Sequence, residues 1–384
     1  MASRSLPRLL RPFRVLGIES SADDSAAAIV SSDRTILANI VEKQHHIHAS
    51  SGGIHPIKAQ DSHAVGVPVA IGRALNEAKM GMDDIDAIAD IPSGPGMFGC
   101  LSVGVHAARA IAVANNKPLV GVHHMQAHAL TPLLTETEPP QFPLLNLLVS
   151  GGHTMLVLTT ETKPYDYKYE ILANTMDDSI GDAFDKTAKL LQIPWLDDQG
   201  PGPSLEAYAQ PDPTNRVYDK IPPLRLPVPK ELAFSYAGLK TKVVKETAKL
   251  FPNLQKPIPQ EIARAMARRF QEAAVQHAID KVNMALDQLE GKGEHGRSDP
   301  VIVRSVVASG GVACNAYLRT RLQQTLAERS PGTGLPLYFP PVALCTDNAA
   351  MIAWAGVLRL QARDGRGDEL DEPIMKKWPI GSVF

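Results

Sequence analysis

Apolar positions recur along this chain as short runs of strand length, separated by stretches of helical period. Residues 15–18 and 26–30 are two such runs, and the polar stretch 19–25 between them predicts a hairpin. Residues 62–78 predict a helix, 85–91 a strand, and Gly94-Pro95-Gly96 a turn. A helix over 103–115, a strand over 118–122 and a helical pattern to about residue 134 follow. Two strands, then helices alternating with strands, predict an α/β domain with helices packed on a mixed sheet.

A Pro-containing break at 136–143 reads as a linker, and the pattern then begins again. A strand at 144–149, a glycine turn at 150–152 and a strand at 154–159 precede, much later, a strand at 301–308 and a turn at 309–311 with a helix from Cys314. Each half opens with a hairpin, which suggests a structural duplication. Residues 194–229 are rich in Pro, Gly and Asp and read as an irregular excursion. Residues 261–290 predict a long helix with Ile262, Met266, Phe270, Ala273 and His277 along one stripe.

A length of 384 residues suits two domains. Lys plus Arg number 39 and Asp plus Glu 41, so bulk charge does not hold this chain on nucleic acid, although local basic patches can. Candidates are Lys240, Lys242 and Lys245 together with Arg264, Arg268 and Arg269; solvated helix faces account for them as readily. The three cysteines, Cys100, Cys314 and Cys345, are scattered and imply no disulfide framework. No run approaches the roughly 18–20 apolar residues a membrane-spanning helix needs, and no membrane association is expected. Arg4, Arg8, Arg11 and Arg14 precede the first acid, Glu19; residues 1–13 read as a mitochondrial targeting leader or as a short basic tail.

His124 and His128 stand four apart, which on a helix puts both imidazoles on one face, as ligation of a transition metal requires; taken alone, the pair reads first as partly buried structural histidines. Met125 occupies the place of the glutamate in a metallopeptidase His-Glu-x-x-His motif, so that chemistry lacks its general base. Asp347, at a helix start in Thr346-Asp-Asn, is the best candidate for a third ligand, although on position alone an ordinary helix N-cap is the preferred reading. The turns Ser150-Gly-Gly, Ser309-Gly-Gly and Gly94-Pro-Gly can bring backbone N–H groups close to a phosphate. Asp23 and Asp24 are metal or water organisers or simply a solvated turn, and Asp178, Asp182 and Asp185 read first as residues of a helix start.

The order of these segments is more telling than any one of them. Gly17-Ile-Glu-Ser-Ser-Ala-Asp-Asp, Val122-His-His-Met-Gln-Ala-His, Leu148-Val-Ser-Gly-Gly-His-Thr, Gly181-Asp-Ala-Phe-Asp-Lys, Ala237-Gly-Leu-Lys-Thr, Ser309-Gly-Gly-Val-Ala-Cys-Asn and Thr346-Asp-Asn together resemble the tRNA threonylcarbamoyltransferase family over about residues 14–380. The resemblance implies an actin-like/Hsp70-like α/β fold with two RNase H-like lobes around a central cleft, 14–135 with 346–384 in the first lobe and 136–345 in the second. It implies one divalent metal, iron or zinc, on His124, His128 and Asp347. It implies a nucleotide-bearing substrate held by Leu148, Val149, Ser150, Gly151 and Gly152, by Asp185, by Gly202 and by Asn315.

The activity implied is metal-dependent acyl transfer: threonylcarbamoyl passes from threonylcarbamoyl-AMP, supplied by a separate synthase, to the adenosine 3′ of the anticodon in tRNAs reading ANN codons, with release of AMP. No general base is assigned. With the Arg-rich start the chain looks most like the mitochondrial branch, for which a homodimer is expected. The alternative is an actin-like-fold ATPase or a sugar-kinase-like phosphotransferase. Two departures stand out: Ala22 replaces a cysteine common in the family, excluding a thiol there, and Ile57 replaces a glutamate.

Overall fold

The two apolar runs at the start of the chain form β1 (Arg14–Glu19) and β2 (Ser25–Ser31), paired antiparallel with Val15 opposite Val30 and Glu19 opposite Ala26. The computed structural model describes residues 6, 11–44, 47, 54–196, 200–253, 256–292, 296–329, 334–375 and 378–381; Arg4 and Arg8 lie outside them. Next come β3 (Ile36–Glu42), α1 (Pro56–Ala78), β4 (Ala87–Ser93), α2 (Phe98–Ala114), β5 (Leu119–His123) and α3 (His124–Thr135). The second run of elements is β6 (Leu144–Val149), β7 (Thr154–Lys163), β8 (Asp166–Asn174), α4 (Ile180–Leu190), α5 (Pro201–Tyr208), α6 (Ala237–Leu250), α7 (Gln260–Leu289), β9 (Ser305–Ser309), α8 (Ala316–Arg329), β10 (Leu337–Tyr338) and α9 (Ala349–Ala362).

These strands make two five-stranded sheets, ordered β3-β2-β1-β4-β5 and β10-β9-β6-β7-β8. Numbered within its own half, each sheet has its first strand at the centre, the second and third on one side and the fourth and fifth on the other. In both, the fourth and fifth strands run parallel to the central strand's side of the sheet: β1 pairs parallel with β4 and β4 with β5, and β6 pairs parallel with β9 and β9 with β10. The duplication suggested by the two hairpins is therefore a repeat of topology, within the α/β, actin-like class the motif order implies.

By contacts the chain forms two units, Met1–Pro140 with Thr159–Glu170 and Phe339–Phe384, and Gln141–Leu158 with Ile171–Tyr338. In the first, both faces of the sheet are covered, which is why β1 and β2 are apolar almost throughout rather than alternating. Leu16, Ile18, Ala27 and Ile29 pack with Val67, Ala70, Ala74 and Ala108 of α1 and α2. α9 takes the opposite face. It comes so close that a Cβ on Gly17 would lie 2.5 Å from Ala349 O and 2.6 Å from Ala353 N, so only glycine fits there. Leu6 is buried in the same unit, its N–H bonded to Gly365 O.

In the second unit the predicted stripe of the long helix holds: Ile262, Met266, Phe270, Ala273 and His277 of α7 are all buried. Gly310 has φ +99°, and a Cβ there would stand 2.3 Å from Val149 O, which fixes glycine where β9 passes β6.

Several expectations are corrected. The strand expected over 301–308 begins only at Ser305, because Val301 N–H goes to Leu289 O and Arg304 N–H to Pro143 O instead of to a ladder. α1 starts at Pro56, with proline in the first helical turn, rather than at residue 62. The excursion 194–229 contains the helix α5.

Candidate metal centre

α3 continues from β5 without a loop. His123 makes the join: its Nδ1 accepts from Met125 N–H at 3.2 Å, capping the helix, and its Nε2 lies 2.8 Å from Trp378 O. Gln126 Nε2 donates to Ile380 O at 2.9 Å. The helix behind the site is thus held at its first turn by residues 378 and 380.

His124 and His128, one turn apart, are both buried, with ring centroids 4.8 Å apart and planes at 77°. Asp347 arrives 219 positions later in the chain. Its Oδ1 lies 3.4 Å from His124 Nε2 and 3.1 Å from His128 Nε2. The helix cap comes not from Asp347 but from its neighbour: Asn348 Oδ1 accepts from Met351 N–H at 3.0 Å. That leaves the Asp347 carboxylate to the imidazoles.

One ligand atom from each of the three side chains lies within 4.8 Å of the others, so the group can hold a metal ion. The spacing fits. Two ligands each about 2.1 Å from a tetrahedral ion sit about 3.4 Å from one another. Two imidazole nitrogens and one carboxylate oxygen are a borderline donor set suited to iron or zinc, with coordination positions left for water or substrate.

The electrostatics follow from burial and charge. Burial alone would lower the His124 pKa, but the Asp347 and Glu19 carboxylates outweigh it and push it up to about 10. Burial would raise Asp347; the His124 charge and hydrogen bonds from both imidazoles hold it well below the usual carboxylate range. Glu19, fully buried at the end of β1, sets its Oε2 3.3 Å from His124 Nδ1 while its Oε1 accepts from Ser21 N–H at 2.5 Å. A carboxylate on the outer nitrogen of a ligating imidazole directs the other nitrogen at the metal. Asp24 belongs to the same neighbourhood. Burial first, then the negative charges of Asp23 and Asp347, raise it to about 7.

The other predicted residues lie in the second unit. Ser150 to Gly152 form the turn between β6 and β7, where Ser150 N–H bonds His153 O at 2.8 Å. Leu148 and Val149, at the end of β6, are buried. α4 packs on that turn: Ser179 caps the helix, its hydroxyl also meets Gly151 O at 2.5 Å, and Gly181 N–H donates to Ser150 O at 3.2 Å. Among the described residues nothing lies within 4 Å of where a Cβ on Gly151 or Gly152 would stand, so the turn is open to them on that side.

One turn along α4, burial raises Asp185 to about 6, against a hydrogen bond from Gly202 N–H and with the charge of Asp182 adding to the rise. Asp185 and Gly202 are therefore direct neighbours. Asn315 is buried and engaged at both ends of its amide, Nδ2 to Gln271 Oε1 at 3.0 Å and Oδ1 from Leu318 N–H at 2.9 Å.

The basic residues considered for tRNA are largely committed inside the second unit. Lys240 pairs with Asp178, and Lys242 donates to Arg225 O. Arg264 lies over Tyr208, while Arg268 and Arg269 lie over Tyr218 at 4.0 and 3.8 Å and bond Glu272. Lys245 is exposed.

A duplicated α/β fold places the chain among actin-like-fold proteins, here with a His-His-Asp group that could hold a cation. The chain belongs to the tRNA N6-adenosine threonylcarbamoyltransferase family, whose model matches residues 35–354. Relatives bearing that name in Paracoccus denitrificans (strain Pd 1222) and Methylobacterium sp. (strain 4-46) are each 40% identical, over 365 and 372 residues. The first comparison covers 95% of this chain and 93% of the relative, the second 96% and 98%. Among solved structures, full-length HypF in its phosphate- and nucleotide-bound form covers 94% of this chain and 57% of its own, with a TM-score of 0.55 at 13% identity, a likeness of fold.

Proposed function

We propose that this chain transfers a threonylcarbamoyl group from threonylcarbamoyl-AMP to the exocyclic amine of the adenosine 3′ of the anticodon in tRNAs reading ANN codons. The observation that carries this reading is the convergence of His124, His128 and Asp347 within 4.8 Å, in a chain of this family. The amine nitrogen forms a bond to the carbonyl carbon of the mixed anhydride, the carbon–oxygen bond to phosphate breaks, AMP leaves and the nitrogen gives up a proton. An aryl amine is a weak nucleophile, so the carbonyl and the departing phosphate need a positive partner.

In this reading one iron or zinc ion is held by His124, His128 and Asp347 and supplies Lewis acidity to an acyl or phosphate oxygen. Glu19 keeps His124 Nδ1 protonated, so that Nε2 faces the ion. The open turn Ser150 to Gly152, with Leu148 and Val149 beneath it, presents backbone to the nucleotide part of the donor. Asp185 with Gly202, and Asn315 at the start of α8, frame that subsite. The donor comes from a separate synthase, the working unit is a homodimer, and the address is mitochondrial.

The test is a reconstitution with unmodified tRNA, ATP and a synthase generating threonylcarbamoyl-AMP, read by mass spectrometry of the nucleosides. Threonylcarbamoyladenosine that depends on this chain supports the proposal. No modified nucleoside in the full mixture, together with ATP turnover by this chain alone without the synthase, overturns it in favour of a phosphotransferase.

A further inference from the structure

His63, on α1, is fully buried. Its Nδ1 lies 2.7 Å from Ser25 Oγ and its Nε2 3.1 Å from Ala22 O. A backbone carbonyl only accepts, so Nε2 carries the proton and Nδ1 accepts from the serine hydroxyl. The two bonds grip one side of the turn that joins β1 to β2. Gly66, one helical turn further on, makes the approach possible: a Cβ there would be 2.5 Å from Ser25 Oγ. The first residues of the turn are fixed from elsewhere, with Ser21 O accepting from Met97 N–H at 2.9 Å and Ser20 Oγ donating to Cys100 O at 2.9 Å.

Inside this gripped turn Ser21 N–H bonds Glu19 Oε1, and Glu19 Oε2 faces His124 Nδ1. We propose that His63 is a positioning residue for the metal centre: by clamping Ala22 and Ser25 to α1 it holds the turn whose backbone orients Glu19, and through Glu19 it sets how His124 presents Nε2. The proposal rests on the reading of His124, His128 and Asp347 as a cation site. His63 is not a ligand, and its influence passes wholly through the turn. A histidine that merely tied α1 to the hairpin would affect unfolding and leave the cation site unchanged.

The experiment measures Zn2+ binding to the full chain by competition with a chromophoric chelator, with urea unfolding alongside. His63→Ala and Ser25→Ala are each expected to weaken Zn2+ binding by about tenfold, the lower end of losses for outer-shell partners. His63→Asn, whose Oδ1 can take the place of Nδ1, recovers part of the loss. His63→Ala combined with Glu19→Gln is no worse than Glu19→Gln alone, because the two act in series.

Unchanged Zn2+ affinity in folded His63→Ala and Ser25→Ala overturns the proposal, as does full additivity with Glu19→Gln. If His63→Ala does not fold, unchanged affinity in both His63→Asn and Ser25→Ala overturns it. A wild-type chain that takes up no Zn2+ overturns the cation-site reading together with this one; wild-type binding with unaffected variants overturns this one alone.

Discussion

Glu19 Oε2 lies 3.3 Å from His124 Nδ1, on the side of the imidazole facing away from Asp347. The ring thereby lies between two carboxylates, one fully buried and one partly open to solvent. Removing the charge of Glu19 while keeping its shape should loosen the tautomer of His124 without removing a ligand. Glu19→Gln is expected to weaken metal binding by about 10–100-fold, read as a Kd by chelator competition. An unchanged Kd would make Glu19 a buried carboxylate of no consequence to the ion.

The same pair of carboxylates predicts a pH dependence. In the metal-free chain His124, raised to about 10, is an imidazolium throughout the neutral range, and the ion needs the neutral ring. Each ion bound therefore expels a proton, and metal affinity should rise by about tenfold per pH unit between pH 6.5 and 9. Stability of the metal-free chain runs the other way. The contribution of His124 is complete below its ordinary value near 6.5 and is lost as pH climbs toward about 10. Affinity measured at three pH values, with unfolding of the metal-free chain beside it, checks both signs.

Asp185 has its carboxyl raised to about 6 by burial. The folded chain keeps that proton between about 3.8 and 6 while the unfolded chain has released it, so this group costs stability as pH rises through that window. Asp185→Asn should flatten the corresponding part of the curve, measured as urea midpoints from pH 4 to 7. A variant that follows the wild type across the window would remove the assignment.

Arg269 donates to Ile221 O, Tyr218 and Glu272 and stacks on Tyr218, so its role is internal. Arg269→Ala should destabilise the chain by about 1–3 kcal/mol and leave the salt dependence of tRNA binding unchanged. A shallower salt slope with unaltered stability would return this residue to the tRNA surface.

Much of this was legible in the sequence. The buried strands announced themselves as apolar runs because their sheets are covered on both faces, and the stripe on α7 marked its inner side. Edge strands did not: β3 and β8 carry exposed and polar positions that break any run. Polar first turns hide the start of α1, and α5 lies among prolines.

For the site, the spacing of His124 and His128 was readable because it lies within one helix. By position Asp347 suits a cap before a ligand, and it is Asn348 that makes the cap. Glu19 stands within the Gly17-Ile-Glu-Ser-Ser motif, but no local pattern says that a strand-end glutamate will meet a histidine 105 positions away. The basic clusters allow two readings for a related reason, since sequence shows charge and not the acid or aromatic ring facing it.

The most direct test removes and restores the ion. Wild-type chain stripped with a strong chelator should form no threonylcarbamoyladenosine on unmodified tRNA supplied with threonylcarbamoyl-AMP, and should regain activity when iron or zinc is returned. Asp347→Ala should stay inactive under both conditions. Modified nucleoside formed by the stripped wild-type chain, or by Asp347→Ala, would contradict the account.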